Sequence, residues 1–467
     1  MNKRSLLLLG IIALIVFTIY GPFVIKGGFG ISDDLSAIHH IQPRSDDMLS
    51  LFQNSLRLSS SVSRPISVLI ASGTFVLFDD VPSLYIFFRL TIWFVVVALL
   101  FQVVKGQLGE ITAWIFVLFS VSPVFASAFV ASYLINYILA IFFWALHLLF
   151  LVKYTSCGKS AYYWTGYLFL VLGILSMEIL LPLLVLSSFL PILCSVDAER
   201  SLSKPNIYPL IRKFVLPVVL ISIFFYFFKV YFVKSYQIGV STYGFETINV
   251  KSFMQALYFF FSISVGLFLQ LIETIPNLLE WRIFILFILI TLFFIQLMYS
   301  VRYNLKKNKI QKNEKKVKYF IFLSIITLFS CTSVFILSSY PAQTFGHYNK
   351  MMTPSIVPLC LLFSIYVGTL LRRKWLPFVI GFSVIWQASM LFQIDNFVES
   401  WRIRKEVFTD CVSKLEETSL GNKPHLIANV PFFTQQNYNN EHVFWLNWDF
   451  DKGLNLFGSE KLSSAFP

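Results

Sequence analysis

Two adjacent carboxylates, Asp33 and Asp34, are the strongest candidates for chemistry in this sequence. They stand soon after the first apolar run, in the segment GGFGISDDLSAI, where most neighbours are small or apolar. A carboxylate in such a setting is suited to act as general base towards a hydroxyl group. The glycines before the pair predict a tight backbone turn. Two other interpretations stay open: solvated loop charges, and a divalent metal site, for which a clear third ligand is missing.

Two arginines form the second candidate group. Arg64 precedes a proline at the head of a short apolar segment, and Arg89 lies early in a predicted membrane helix. An arginine inside a bilayer is costly unless paired, and a phosphate suits it because the guanidinium donates two parallel hydrogen bonds. Arg64 is equally interpretable as an anchor at the lipid headgroups. Glu178 is either a structural partner of Arg89 or a supporting residue of a site.

Histidines and one lysine complete the candidates. His39 and His40 follow the acidic pair in the same polar stretch, and the segment SSYPAQTFGHYNK contains His347 and Lys350. Lys350 and His347 are suited to bind a phosphate or diphosphate, although a lone loop histidine is more often incidental. The aromatic residues of VFWLNWDF, at 443–450, are interpretable as a sugar-stacking surface or as the core of a small domain.

The elements that must position these residues are membrane helices. Of 467 residues, 57% are hydrophobic and only 13% charged, whereas soluble domains carry about 25% charged residues. The composition therefore predicts an all-α polytopic membrane protein. The net charge of +13 does not indicate a nucleic-acid partner, because the basic residues are spread over short gaps between apolar runs and no basic-aromatic module appears. The five cysteines include no C-x-x-C pair, so no zinc or redox site is predicted.

Lysine and arginine collect on the cytoplasmic side of a membrane, so their positions predict the topology. Lys3 and Arg4 place the N-terminus in the cytoplasm, and the basic segment 306–318 predicts a cytoplasmic loop. The apolar segment 65–78 is short for a span. It is predicted to lie on the outer membrane surface, because a crossing there would put Lys105 outside.

The apolar runs predict about eleven crossing helices. The run 161–196 is too long for one helix, and Met177-Glu178 is predicted to divide it into two short spans. The run 253–274 either does not cross or forms a re-entrant pair. The other spans are expected near 5–25, 83–104, 110–128, 132–152, 213–234, 282–301, 319–339, 354–371 and 375–393.

The chain is predicted to have two parts. Residues 1–394 form the transmembrane region, which includes a first external loop at 26–82, and residues 395–467 form a small external domain of polar composition. Every polar cluster named above then falls on the outer face of the membrane. An enzyme that acts on a lipid-linked substrate at that face would need this arrangement.

The acidic pair after the first helix, the Arg-Pro segment on the membrane and the arginine early in the next span together resemble the GT-C class of membrane glycosyltransferases. The step Ser176-Met177-Glu178 is similar to the short S-x-E turn of that class, and the segment GHYNKMMTPS (346–355) is similar to its late loop with a basic residue. The bacterial glucosyltransferases that convert O-antigen serotype are the most similar subset. The adjacent Asp33-Asp34 departs from relatives that have Asp-Glu or a single Asp.

The resemblance implies an inverting transfer of a hexose, such as glucose, from a polyprenyl-phosphate carrier to a surface polysaccharide or lipid-linked O-antigen. One of Asp33 and Asp34 would act as base, and Arg64, Arg89, His347 or Lys350 would bind the lipid phosphate. The implied location is the bacterial inner membrane with the site on the periplasmic face. No cofactor is certain, and a divalent metal at the acidic pair stays open.

Two alternatives remain. An O-antigen polymerase is also polytopic, but its usual mark is a large central outer loop rich in arginine, and here the largest loops are the first loop and the tail. A transporter or flippase for a lipid-linked sugar would want charged residues deep in several helices. This sequence has few of these beyond Arg89, Glu178 and Lys229.

Overall fold

A computed structural model describes most of the membrane region of the chain. The described residues are 3–28, 49–50, 52–53, 64–78, 81–123, 135–199, 207–228, 250–275, 279–307, 314–338, 352–371 and 375–417. All regular structure within these ranges is helical, which confirms the predicted all-α class.

The helices are numbered in chain order over the described residues. They are α1 (Lys3–Lys26), α2 (Pro65–Phe78), α3 (Pro82–Leu108), α4 (Glu110–Ser120), α5 (Ile135–Cys157), α6 (Ser160–Ser176), a 3-10 helix (Glu178–Leu183), α7 (Leu184–Glu199), α8 (Ile207–Phe227), α9 (Val250–Glu273), α10 (Trp281–Lys307), α11 (Glu314–Ser338), α12 (Ile356–Leu370) and α13 (Leu376–Glu417).

Seven of these helices are long and apolar enough to cross a membrane, namely α1, α3, α5, α8, α10, α12 and α13. A span needs about 20 apolar residues to satisfy its own backbone across the hydrocarbon core. The described part of the chain is therefore that of a polytopic helical membrane protein. The full count of about eleven crossings stays a prediction, and the run predicted as non-crossing or re-entrant, α9, is a single continuous helix.

The predicted break at Met177 is confirmed. Helix α6 ends at Ser176, Met177 is extended, with φ −163° and ψ 128°, and the 3-10 helix begins at Glu178. Pro182 lies inside that 3-10 helix and has no N–H to donate to a regular α-helix. The chain thus turns inside the bundle without a long loop.

Helix α4 ends earlier than predicted. A helix over 110–128 was expected, and the structure ends it at Ser120. The reason is Pro123, because a proline disfavours helical backbone at the residue before it. The sequence VSP is thus a helix stop within an apolar run that otherwise continues.

The early end of α4 is closed by side chains from three other helices. The last carbonyls of a helix lack partners within the helix, and Pro123 has no N–H to donate. Here the carbonyls of residues 118–122 accept hydrogen bonds from side chains. Tyr20 of α1 donates to one at 2.9 Å, and Trp93 of α3 donates to another at 2.8 Å. From α13, Trp386 donates at 2.9 and 3.2 Å and Gln387 at 2.6 Å. This cap fixes α1, α3 and α13 at a common level, called here the cap layer.

The tryptophans of the core combine apolar burial with a satisfied N–H group. Trp93, Trp144 and Trp386 are fully buried, and Trp144 donates to the Ser187 hydroxyl at 2.9 Å. An aromatic ring of this size contributes much apolar contact, while its N–H needs a partner in a dry interior. The pairings therefore specify how α5 packs on α7 and how α13 packs on α4.

Helix α13 runs far beyond the length of a membrane span. Its 42 residues extend about 63 Å at 1.5 Å per residue, roughly twice the thickness of the hydrocarbon core. The predicted boundary between membrane region and external domain, at 394/395, falls inside this helix. The composition does change there, but the backbone continues as helix to Glu417, and residues 418–467 lie outside the described residues.

We expect Trp386→Phe to destabilise the protein by about 1–3 kcal/mol, because it leaves buried carbonyls of α4 without their indole donor. Thermal unfolding of the purified protein in detergent measures the effect. Trp164→Phe is the matched control, since Trp164 is 69% exposed. Equal melting temperatures for the two variants would show that the cap adds nothing.

Candidate functional site

The predicted site residues divide into those the structure describes and those it does not. Asp33, Asp34, His39, His40, His347 and Lys350 lie outside the described residues, so their roles stay predictions. The residues Arg64 and Arg89 are described in full. Glu178 is described by its backbone as the first residue of the 3-10 helix, and its side chain lies outside the described part. Its pairing with Arg89 is therefore untested.

Arg89 is deeply buried in the membrane region. Only 1% of the residue is exposed, and its Nε donates to the Tyr85 carbonyl at 3.2 Å. That bond turns the guanidinium back towards the beginning of α3. Burying a guanidinium is costly unless it is hydrogen-bonded and paired. The burial of Arg89 is shown, and its role in a phosphate site stays a prediction.

The short helix α2 contacts two of the predicted patches. At its N-terminal end, three residues after Arg64, the Ser67 hydroxyl donates to the Ser176 carbonyl at 2.6 Å. At its C-terminal end, the Phe78 ring packs edge-on against Tyr85 of α3 with centroids 5.3 Å apart. Helix α2 has 14 residues, about 21 Å, which is shorter than the roughly 30 Å hydrocarbon core.

The structure thus brings the Arg-Pro segment into direct contact with the Ser176-Met177 step. The turn is fixed further by Asn136 of α5, whose amide donates to the Met177 sulfur at 3.3 Å. Sequence analysis assigned both patches to the same membrane surface but gave no contact between them. Ser67 makes the contact and Asn136 holds Met177. Both are short polar residues in apolar runs, which was the available signal in the sequence.

Gly27 and Gly28, at the end of α1, are held between α3 and α13. A Cβ on Gly27 would overlap the Phe23 carbonyl oxygen and lie 2.9 Å from the Ile86 side chain, and a Cβ on Gly28 would overlap the Trp401 indole. Neither glycine has positive φ. Both positions therefore need glycine because of close approach, and the predicted turn continues into residues outside the described part. We call this place, with Ile86 and Trp401, the glycine layer.

Arg404 is a buried cation that sequence analysis missed. It is 2% exposed, and its guanidinium carbon lies 5.3 Å from the centre of the Trp401 ring. The charged run around it suggested a solvated external domain. The spacing of Trp401, Arg404 and Phe408 at three and four residues was the available signal, since such spacing forms one helix face.

Arg282 forms a second group that sequence analysis missed. It donates to both carboxylate oxygens of Asp395, at 2.9 and 2.6 Å, and its Nε donates to Glu280 at 2.5 Å. This two-pronged pair joins the beginning of α10 to α13, six residues before Trp401. It holds α13 in place on the bundle, and it is partly exposed on both sides.

Both buried arginines point towards the glycine layer. Tyr20, Trp93 and Trp386 mark the cap layer, and Gly28, Ile86 and Trp401 mark the glycine layer. The backbone of Arg89 lies between the two layers on α3, and its side chain turns back towards Tyr85, next to Ile86. The backbone of Arg404 lies beyond Trp401 on α13, and its guanidinium turns back to the Trp401 ring.

This arrangement is suited to bind anions at one end of a helical bundle. Guanidinium groups bind phosphate or carboxylate oxygens strongly in a dry environment. Among the described residues no group of three His, Cys, Asp or Glu side chains is close enough to hold a metal ion. Asp33 and Asp34 lie outside the described residues, so metal binding by that pair stays a prediction.

Fold and site together define a polytopic helical membrane protein with buried arginines at one end of its bundle. Searches of protein-family models, curated proteins and solved structures find no match to this chain.

Proposed function

We propose that this protein is a GT-C class glycosyltransferase of the bacterial inner membrane. It takes a hexose, such as glucose, from a polyprenyl-phosphate carrier and transfers it to a surface polysaccharide or lipid-linked O-antigen on the periplasmic face. The observation that carries the proposal is Arg89, a guanidinium buried near the beginning of α3, next to the glycine layer. The contact between α2 and the Ser176-Met177 step supports it, because two patches of the sequence resemblance meet there.

The proposed reaction inverts the configuration at the anomeric carbon. One of Asp33 and Asp34 accepts the proton of the acceptor hydroxyl, and the hydroxyl oxygen forms a bond to the anomeric carbon. The bond from that carbon to the phosphate oxygen breaks, and its electron pair stays on the polyprenyl phosphate. Arg89 and Arg64 stabilise the negative charge of the departing phosphate. His347 and Lys350 belong to the same proposed phosphate site.

The proposal includes the predicted topology, with about eleven crossings and a cytoplasmic N-terminus. The C-terminus and the first external loop are then periplasmic. This face holds no supply of nucleotide sugars, and the sequence has no Gly-rich phosphate cradle for one. The sugar donor on this face is therefore a lipid-linked sugar.

The experiment compares the surface polysaccharide of the host with and without this gene by mass spectrometry. We expect the gene to add one hexose to each repeat. A change in chain length at constant repeat mass would show a polymerase instead. Loss of all polysaccharide from the surface, with lipid-linked intermediate retained in the cell, would show a flippase or transporter.

A further inference from the structure

Aromatic side chains join α5, α6 and α8 near the end of the bundle where α5 ends and α6 begins. The Tyr154 ring of α5 and the Tyr163 ring of α6 lie 5.2 Å apart, measured between centroids. The Tyr163 hydroxyl donates to the backbone carbonyl of Lys213, on α8, at 2.9 Å. One residue further along α8, the Phe214 carbonyl accepts a hydrogen bond from Tyr167 at 3.2 Å. We call Tyr154, Tyr163 and Tyr167 the tyrosine cluster; it fixes α8 against the hairpin of α5 and α6.

Three exposed lysines lie around the tyrosine cluster. Lys153 directly precedes Tyr154, and Lys159 lies one helical turn before Tyr163. The Lys213 ammonium lies 4.5 Å from the centre of the Tyr154 ring. No carboxylate of the described residues forms an ion pair with any of the three lysines. Each ammonium therefore keeps N–H donors that can bind an anion.

The three helices at this end carry no acidic residue of their own. The sequences of α5, α6 and α8 contain neither aspartate nor glutamate. Positive charges that lie close together repel one another, and the repulsion is stronger near a membrane than in bulk water because the effective dielectric constant is lower. An anion bound among the three lysines would offset that repulsion.

Trp164 indicates that this end lies at the level of the lipid headgroups. It is 69% exposed, and its ring packs edge-on against Tyr163 with centroids 5.3 Å apart. An exposed tryptophan on a membrane helix favours the headgroup level, because its ring is apolar and its N–H needs a polar partner. The Lys153 ammonium lies 5.8 Å from the centre of the Phe150 ring, so its apolar stem runs along an aromatic side chain. The ammonium groups are thus placed where lipid phosphates lie.

We propose that Lys153, Lys159 and Lys213 bind the phosphate of an anionic phospholipid. The ammonium groups donate hydrogen bonds to the phosphate oxygens, and the Tyr154 ring holds the Lys213 ammonium in place. The lipid belongs to the leaflet at this end of the bundle, which the predicted topology places on the cytoplasmic side. This site is separate from the proposed transferase site and does not depend on it.

Native mass spectrometry of the full-length protein tests the site with two lipids of the same acyl chains, phosphatidylglycerol and phosphatidylcholine. We expect the wild type to bind the anionic lipid at least about tenfold more tightly than the zwitterionic lipid. The double variant Lys153→Ala/Lys213→Ala should lose most of that preference. The matched control is Lys26→Ala/Lys405→Ala, which removes two exposed lysines on α1 and α13 and gives the same net charge.

The melting temperature supplies a second measurement, because a ligand that binds only the folded state raises it. Phosphatidylglycerol should stabilise the wild type and the control more than the Lys153→Ala/Lys213→Ala variant. The variant Lys153→Arg/Lys213→Arg keeps both charges and should keep the lipid preference.

Three results would overturn the proposal. The first is equal binding of the two lipids by the wild type, and the second is full preference for phosphatidylglycerol in the Lys153→Ala/Lys213→Ala variant. The third is displacement of the lipid by inorganic phosphate but not by sodium chloride at the same ionic strength, which would show a site for free phosphate. Equal weakening by the two salts is expected, because screening depends on ionic strength.

Discussion

Arg89→Ala is expected to lower sugar transfer about a hundredfold or more, the largest effect of any single change outside the acidic pair. The variant removes a guanidinium that is proposed to stabilise the negative charge growing on the lipid phosphate. The variant should impair the use of the donor more than the use of the acceptor, because the guanidinium is proposed to contact the donor phosphate. Arg89→Lys should recover only part of it, since an ammonium cannot donate two parallel hydrogen bonds to one phosphate.

The measurement is the initial rate of transfer with donor and acceptor varied separately. Arg212→Ala is the control, because Arg212 is an exposed arginine on α8, a helix that carries no predicted site residue. A buried arginine also contributes to stability, so the melting temperature of each variant in detergent accompanies the rates. Full donor use by a folded Arg89→Ala variant would contradict the proposed phosphate site.

Asp33→Asn and Asp34→Asn form the second prediction of large effect. Loss of a general base lowers rates by about a hundredfold or more, and adjacent residues point in different directions. We therefore expect one variant to lose transfer and the other to keep most of it. The variants should insert and accumulate normally, because replacing a carboxylate by an amide of the same shape changes little in packing.

The matched controls are Asp46→Asn and Asp47→Asn, a second acidic pair in the same predicted external loop. They keep the loop charge equal to that of the test variants. Equal loss in both single variants at Asp33 and Asp34, reversed by excess divalent cation, would favour metal binding over general-base catalysis. Full activity in the double variant would show that Asp33 and Asp34 are solvated loop charges with no role in transfer.

Most helix positions could be predicted from the sequence, because the hydrocarbon core of a membrane permits only a few kinds of backbone structure. Helices α1 and α3 begin and end within a few residues of the predicted bounds, and the turn at Met177 was predicted from a polar step in a run too long for one helix. The early end of α4 was missed, although Pro123 was there to indicate it. The residues that cap its end, Trp386 and Gln387, lie more than 260 positions further along the chain. A local sequence pattern cannot predict a contact over that distance.

The contacts around the candidate residues could not be predicted from the sequence. Arg89 was conspicuous as a charge in an apolar run, and the structure shows that it is buried. Arg404 was missed because it lies among other charged residues in the sequence. Only the packing of α13 on the bundle shows that Arg404 is buried and Arg402 is exposed. The pair of Arg282 and Asp395 was missed because the two residues are 113 positions apart, Arg282 at the beginning of α10 and Asp395 in the middle of α13.

Transfer by the purified protein from a defined donor tests the central claim most directly. The assay offers a polyprenyl-phosphate hexose and the matching nucleotide sugar in separate reactions with the same acceptor. We expect transfer from the lipid-phosphate donor, with inversion at the anomeric carbon, and no transfer from the nucleotide sugar. Robust transfer from the nucleotide sugar in the absence of any lipid carrier would contradict it.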